Sequence, residues 1–125
     1  MARILLAEDE DSLRELVARA LKQDGHDVVS NCDGAAALDA LMRDDGRYDL
    51  LLTDIKMPIM DGIALALAAS RDFPDMPILL MTGYADQRER ASGLELLIRD
   101  VIAKPFTLAT ICGAVREALA APQMH

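Results

Sequence analysis

Short apolar runs alternate with amphipathic segments along this chain of 125 residues. The first, third and fourth runs are continuously apolar, as strands covered on both faces must be. The second run is more polar, which is typical of an edge strand. The pattern predicts five strands, at residues 3–7, 26–32, 49–53, 77–82 and 101–103.

Helical periodicity occupies the segments between these strands. The first helix is expected to stop at Gly25, and the second apolar stripe ends near Gly46. A third helix should begin near Gly62 and end before Phe73-Pro74, while Thr107 is a plausible N-cap of the last helix. The apolar faces predicted for the first and last helices are Leu13, Leu16, Val17, Ala20 and Leu21, and Leu108, Ile111, Cys112, Val115 and Leu119.

Strands that alternate with helices imply right-handed crossovers and a parallel sheet with helices on both sides. We therefore predict one doubly wound α/β domain over residues 1–121. Residues 85–93 carry many charges and little apolar face, so they are predicted to form a weakly anchored helix, or an ordinary solvated helix. The tail at residues 122–125 is expected to fray, and no effector domain is expected to follow.

Composition and charge limit what can fill the core of this domain and which partners and compartment it can have. Hydrophobic residues make up 52% but aromatic residues only 3%, so aliphatic side chains and methionine must fill the core. A net charge of −8 would repel nucleic acid and anionic lipid, which argues against unaided binding to either. No apolar run reaches the length of a membrane span and no signal-peptide pattern is present, so we expect a cytoplasmic protein.

The cysteines and histidines indicate no metal site. Cys32 and Cys112 have no CxxC spacing and are expected to be reduced, buried, small hydrophobic residues. His26 and His125 complete no zinc ligand set and are expected at the surface.

Polar side chains that could bind a metal or take part in a reaction lie at or just after the ends of four of the five predicted strands. In a doubly wound sheet, ligands bind beyond the carboxyl ends of the strands. Acids crowded at that edge repel one another unless a cation joins them, which predicts a hard, oxygen-liganded ion such as Mg²⁺. The residues at this edge are Glu8, Asp9, Glu10 and Asp11 after the first strand, Asp54 after the third, Thr82 at the end of the fourth, and Lys104 after the fifth.

This combination of groups is suited to phosphoryl transfer. A cation that joins Asp9 and Asp54 would leave Asp54 able to attack a phosphoryl group as a carboxylate nucleophile. Lys104 would neutralise the transferred group, and the Thr82 hydroxyl could donate to one of its oxygens. Each residue alone has a structural explanation as a helix-terminus acid, a turn former or a cap, so the interpretation depends on their joint placement.

The motifs resemble those of the receiver domain of two-component response regulators. The resemblance covers about residues 2–119 and implies a flavodoxin-like parallel sheet with strand order 2-1-3-4-5. The matching motifs are Glu8-Asp9, Thr53-Asp54-Ile55-Lys56-Met57-Pro58-Ile59-Met60-Asp61-Gly62, Met81-Thr82-Gly83 and Lys104-Pro105-Phe106.

The resemblance implies a signalling phosphoacceptor and not an enzyme in the usual sense. Asp54 would take a phosphoryl group from a histidine kinase or a histidine phosphotransferase. Mg²⁺ would be held by Asp9, Asp54 and the backbone carbonyl of Lys56, with Glu8 assisting through a metal-bound water. Lys104 would contact the phosphoryl group.

The resemblance also implies a conformational switch. Thr82 would follow the phosphoryl group as the switch hydroxyl. Many receivers carry an aromatic residue three positions before the lysine, but this chain has Val101 there. Tyr84 could couple the site to residues 85–93 instead, or it could simply cover the rim of the pocket. Lys56 and Tyr84 also flank the path of hydrolytic water, so both are expected to influence the lifetime of the phosphoryl group.

A narrower similarity connects the chain to the CpdR subfamily, stand-alone receivers of alphaproteobacteria. The supporting segments are residues 1–9, 81–90 and 100–106, and the similarity accounts for Val101 as a subfamily trait. It implies a phosphorelay protein whose unphosphorylated form assists the ClpXP protease in degrading cell-cycle substrates.

Three alternatives compete with this interpretation of the residues. A phosphatase of the haloacid-dehalogenase type needs a second Asp two residues after the first, where this chain has Lys56. A flavodoxin-type flavin site needs a phosphate-binding loop after the first strand, where residues 8–11 would repel phosphate. A receiver-like interaction module that is never phosphorylated stays open.

Overall fold

The strands and helices alternate as the periodicity predicts. The computed structural model describes residues 2–83, 93–94 and 96–120. The five strands are all parallel and lie in the order β2-β1-β3-β4-β5, which confirms the predicted flavodoxin-like topology. The elements are β1 (Arg3–Ala7), α1 (Asp11–Gln23), β2 (Asp27–Asn31), α2 (Gly34–Arg43), β3 (Leu50–Asp54), α3 (Gly62–Asp72), β4 (Ile78–Thr82), β5 (Asp100–Ala103) and α4 (Leu108–Ala120).

Strand burial follows from position in the sheet. Every residue of β3 and β4 is buried, and four of the five residues of β1 are buried. Only Val28 is buried in β2, which lies at one edge of the sheet as predicted. Strands covered on two faces must be apolar throughout, whereas an edge strand meets solvent.

Two apolar layers hold the helices against the sheet. One layer joins side chains of β1, β3 and β4 to α2 and α3, and the other joins the opposite faces of those strands to α1 and α4. Fully buried members of the first layer include Leu5, Leu41, Leu51 and Leu65, and those of the second include Leu6, Leu21, Leu52 and Ile111. None of the helices in the described part of the chain has the length and apolar character needed to cross a membrane.

Capping side chains explain where three helices begin. The Asp33 carboxylate accepts a hydrogen bond from Ala36 N at 2.8 Å and starts α2. Asp61 accepts one from Ala64 N at 2.9 Å and starts α3. The predicted N-cap Thr107 accepts one from Thr110 N at 3.0 Å, as expected of a hydroxyl at this position.

Several predictions of exposure were wrong. Cys32 is a free thiol but is exposed, because it follows an edge strand and not a covered one; Cys112 is free and buried, as predicted. His26 is not a surface residue: its side chain is 10% exposed, and its Nδ1 accepts from Ala2 N at 3.3 Å. Leu16 is 48% exposed, because α1 meets the sheet along Val17, Ala18 and Leu21.

The strand predictions differ from the observed bounds by one residue at most. Asp54, predicted just beyond the third strand, is the last residue of β3 and pairs with Met81 of β4. Tyr84, His125, most of residues 85–93 and the tail at 122–125 lie outside the described residues, so those predictions stay predictions.

The loop between β3 and α3 holds a residue in an unusual backbone conformation. Ile59 has a φ of +70°, and Met60 N donates to Pro58 O at 2.7 Å to close a three-residue turn. Met60 O in turn accepts from Gly34 N at 3.1 Å. A Cβ on Gly34 would lie 2.2 Å from Met60 O, so only glycine permits this approach. The turn is therefore held by its own hydrogen bond and by the one from Gly34, while the side chain of its central residue, Ile59, is 85% exposed.

We expect Ile59→Asn to stabilise the protein by about 1 kcal/mol, because Asn tolerates the left-handed region that a β-branched residue avoids. The side chain is exposed, so little packing is lost. Urea unfolding would measure the free energy difference. Ile59→Val keeps the β-branch and should show no such gain. If Ile59→Asn proved no more stable than the wild type, the assignment of strain to this residue would be contradicted.

Candidate functional site

A cavity of about 930 Å³ lies at the carboxyl edge of the sheet, where the predicted site was placed. Glu8, Asp9 and Glu10 after β1, Asp54 at the end of β3, and Lys104 after β5 all line it. Apolar side chains, among them Leu13, Pro58 and Phe106, form part of its wall. Parallel strands bring residues distant in sequence to this one edge, which is why a site can form here.

Lys104 connects the two buried acids of the cavity. Its Nζ atom lies 2.9 Å from Asp54 Oδ2 and 3.2 Å from Glu8 Oε1. Asp54 is 5% exposed and Glu8 is fully buried, so both carboxylates are largely removed from water. The remaining oxygens accept backbone hydrogen bonds, Asp54 Oδ1 from Ile55 N at 2.9 Å and Glu8 Oε2 from Glu10 N at 3.0 Å.

Burial is the largest influence on the protonation of both Glu8 and Lys104. Burial, with a smaller contribution from the charge of Asp54, raises the pKa of Glu8 to about 7 against the opposing effects of the Glu10 N–H and of Lys104. For Lys104, burial acts to lower the pKa, but its hydrogen bonds and charge interactions with Asp54 and Glu8 outweigh burial and raise it. Both shifts reflect carboxylates crowded in a poorly solvated space.

Three acids of the site are placed as a ligand set for a hard cation. Carboxylate oxygens of Glu8, Asp9 and Asp54 all lie within 4.8 Å of one another. Asp9 is exposed, so the cluster opens to solvent on one side. Mg²⁺ prefers oxygen ligands of this kind and keeps several waters, and its charge would favour the ionised form of these acids. These residues therefore fit a magnesium ion.

Thr82 lies beside this cluster at the end of β4. It is 1% exposed and follows Met81, the register partner of Asp54. Its backbone carbonyl accepts from Lys104 N at 2.7 Å, which joins the ends of β4 and β5. The structure thus places Asp54, Thr82 and Lys104 at the same edge of the sheet.

Two further predicted residues, Lys56 and Val101, lie outside this group of buried charges. Lys56 is exposed and lines the cavity. Val101 is half-buried and packs against the apolar layer that includes α2 and α3.

Sequence reasoning missed Arg14, whose Nη1 donates to the backbone carbonyl of Glu8 at 3.0 Å. Its only signal was the i,i+3 spacing from Asp11, which by itself indicates an ordinary helix pair.

We expect Glu8→Gln to stabilise the metal-free protein near pH 8 by on the order of 1 kcal/mol. The folded-state pKa of Glu8, about 7, exceeds its ordinary value of 4.5. At pH values between these two, the folded state therefore holds a proton that the unfolded chain has lost. The stability of the wild type should therefore fall as pH rises through this window, and the variant should be spared this loss.

Urea unfolding in metal-free buffer at about pH 5 and pH 8 would measure this effect. The two proteins should be similar in stability at the lower pH and diverge at the higher. Glu15→Gln, an exposed acid on α1, serves as a control that removes the same charge. If the Glu8 variant lost stability at both pH values, the buried carboxylate would instead be a net stabilising group.

Comparison with known proteins agrees with this geometry. Residues 4–116 match the family of response regulator receiver domains. The response regulator receiver protein CpdR of Brucella abortus (strain 2308) is 37% identical over 121 residues, covering 97% of this chain and 99% of the relative. The non-phosphorylated HemR receiver domain from Leptospira biflexa is 30% identical, with a TM-score of 0.86 over 100% of this chain and 99% of that one.

A further structure is relevant to the acidic cluster. The response regulator TrrA from Thermotoga maritima, in complex with Mg²⁺-BeF, is 29% identical with a TM-score of 0.84, over 94% of this chain and 99% of that one. The family match spans nearly the whole described fold, and the acids and the lysine of the motifs line one cavity. The chain belongs to the receiver domain family of two-component response regulators.

Proposed function

We propose that this chain is a switch in a two-component or phosphorelay system, controlled by phosphorylation of Asp54. Receiver domains accept phosphoryl groups from histidine kinases or phosphotransferases. The observation that carries the proposal is the position of Asp54, at the cavity floor and 2.9 Å from the Lys104 ammonium. A nucleophilic carboxylate beside a fixed cation is what phosphoryl transfer requires.

Magnesium is the proposed cofactor of this site. The ligands would be Asp9, Asp54 and the backbone carbonyl of Lys56, with Glu8 acting through a bound water. When bound, Mg²⁺ supplies positive charge that lessens repulsion between the acids and an incoming phosphoryl group. The proposal is supported by the 4.8 Å clustering of the Glu8, Asp9 and Asp54 oxygens.

The reaction itself would use groups that the fold already positions. An Asp54 oxygen attacks the phosphorus of a phosphohistidine; the new O–P bond forms as the P–N bond breaks, and its electron pair returns to the imidazole. Lys104 balances the negative charge of the transferred group, and the Thr82 hydroxyl donates to one of its oxygens. Lys56 and Tyr84 influence how fast water removes the group. Any catalysis by the chain is limited to its own phosphorylation and dephosphorylation.

The proposed output is a change in protein binding. Thr82 and Lys104 are joined by a 2.7 Å backbone hydrogen bond, so a group bound between them can affect both β4 and β5. The face proposed to respond comprises residues 85–93, β5 and α4, with Tyr84 and Val101 as relay residues. Phosphorylation would shift an equilibrium between two states of this face.

The proposed partner is the ClpXP protease, in the cytoplasm. The support is the 37% identity to CpdR of Brucella abortus over 99% of that protein. By this proposal the unphosphorylated chain assists proteolysis of cell-cycle substrates, and phosphorylation ends that assistance. The chain would then act as a regulated proteolysis adaptor, with residues 1–121 as its single receiver domain.

Acetyl phosphate with Mg²⁺ should add one phosphoryl group to the wild type, and Asp54→Asn should abolish the addition, since an amide is not a phosphoacceptor. Intact-mass spectrometry measures both. Asp39→Asn removes an exposed acid of α2, distant in sequence from the site, and should leave the modification in place. No addition to the wild type at any Mg²⁺ concentration would instead favour an interaction module that is never phosphorylated.

Purified ClpX should bind the unphosphorylated chain, and acetyl phosphate with Mg²⁺ should weaken that binding by roughly tenfold, a coupling of about 1.4 kcal/mol. Biolayer interferometry would measure the dissociation constants. Asp54→Ala should bind equally with and without the phosphodonor.

Tyr84→Ala tests the proposed relay in the same assay. It should bind ClpX but respond little to phosphorylation, whereas Tyr84→Phe keeps the ring and should respond like the wild type. An unchanged response in Tyr84→Ala would rule out Tyr84 as the relay. Absence of ClpX binding in both phosphorylation states would contradict the proteolytic role and leave the phosphorylation result standing.

A further inference from the structure

Arg14 joins α1 to the acidic loop that precedes it. Its Nη1 donates to the Glu8 backbone carbonyl at 3.0 Å, and its Nη2 lies 2.6 Å from Asp11 Oδ1. The side chain is only 20% exposed, although arginine is among the residues most often found at the surface. One guanidinium thus holds both ends of the segment from Glu8 to Asp11, which contains Asp9.

Two backbone hydrogen bonds also restrain this segment: Glu8 N donates to Asn31 O at 3.0 Å, and Arg14 N donates to Glu10 O at 2.9 Å. The N-cap residue of α1, Glu10, makes no capping hydrogen bond with its side chain. The Glu8 side chain is turned inward, where its carboxylate accepts from Glu10 N and meets Lys104. The direction in which the Asp9 carboxylate leaves the backbone therefore depends on the orientation of the Glu8–Asp9 peptide, and Arg14 holds the carbonyl of that peptide.

We propose that Arg14 is a positioning residue for the metal site: by fixing the Glu8 carbonyl, it keeps the Asp9 carboxylate directed toward Asp54. The inference rests on the proposed Mg²⁺ site and adds to it a residue that touches neither metal nor phosphoryl group. Groups that orient ligands from outside the ligand set commonly affect metal affinity by tenfold or more.

The charge of Arg14 and its positioning role predict opposite effects on metal binding. A guanidinium beside the acidic cluster repels a divalent cation, so loss of its charge alone would tighten Mg²⁺ binding. Loss of a positioning contact would weaken Mg²⁺ binding, because the Asp9 carboxylate would have to be ordered when the metal binds. The sign of the change therefore separates the two roles.

A purely structural role makes a third prediction. If Arg14 served only as an i,i+3 partner of the exposed Asp11, its loss would lower stability by a few tenths of a kcal/mol and leave Mg²⁺ affinity unchanged. Melting temperature and metal affinity must accordingly be measured on the same samples.

Isothermal titration calorimetry with MgCl₂ at constant ionic strength would test the proposal on the full chain. Arg14→Met should weaken Mg²⁺ binding roughly tenfold. Arg14→Lys, which keeps the charge and can reach one acceptor at a time, should fall between Arg14→Met and the wild type. Arg43→Met removes the same charge and a surface pair with Asp39 on α2, and should bind Mg²⁺ like the wild type.

Equal or tighter Mg²⁺ binding by Arg14→Met would overturn the proposal, and so would an equal loss in Arg43→Met. Circular dichroism checks that each variant is folded; if Arg14→Met is not, Arg14→Gln takes its place under the same expectation. A wild type that fails to bind Mg²⁺ would instead count against the proposed function, so the two failures are distinguishable.

Discussion

The Lys104 ammonium between Asp54 and Glu8 is the interaction on which the site depends. It joins residues from the ends of β1, β3 and β5, at 2.9 Å and 3.2 Å, and both carboxylates are buried. Burying a carboxylate destabilises the fold unless a cation and hydrogen bonds compensate its charge. Here the two carboxylates share the Lys104 ammonium, and each also accepts a hydrogen bond from a separate backbone N–H. The parallel sheet makes this possible, because it brings three strand ends to one edge.

Some residues of the site lower the stability of the fold, and apolar packing elsewhere in the domain compensates for this. Burial raises the pKa of Glu8, so its ionised form is disfavoured in the cavity, and Ile59 adds a strained turn at the same edge of the sheet. The fully buried strands β3 and β4 and the two apolar layers supply the opposing stabilisation. Such local conflicts are expected where a protein keeps charge ready for a ligand.

Two sets of contacts connect the buried acids to the rest of the molecule. On one side, Lys104 N donates to Thr82 O and ties the site to β4 and β5. On the other side, Arg14 holds the carbonyl of Glu8 and ties the site to α1. The first set leads to β5, the edge strand that contains Val101. The second set leads to the segment that contains the exposed Asp9.

The sequence by itself determined the alternation of elements, the parallel sheet and the edge at which Asp54, Thr82 and Lys104 meet. Periodicity reports which face of a segment is covered, and topology then assigns the strand ends. Tertiary structure alone decided the exposure of Cys32, the burial of His26, the complete burial of Glu8, the positive φ of Ile59 and the reach of Arg14 to a carbonyl six residues earlier. Each depends on which neighbours pack around a residue, and those neighbours come from distant parts of the chain that no local pattern identifies.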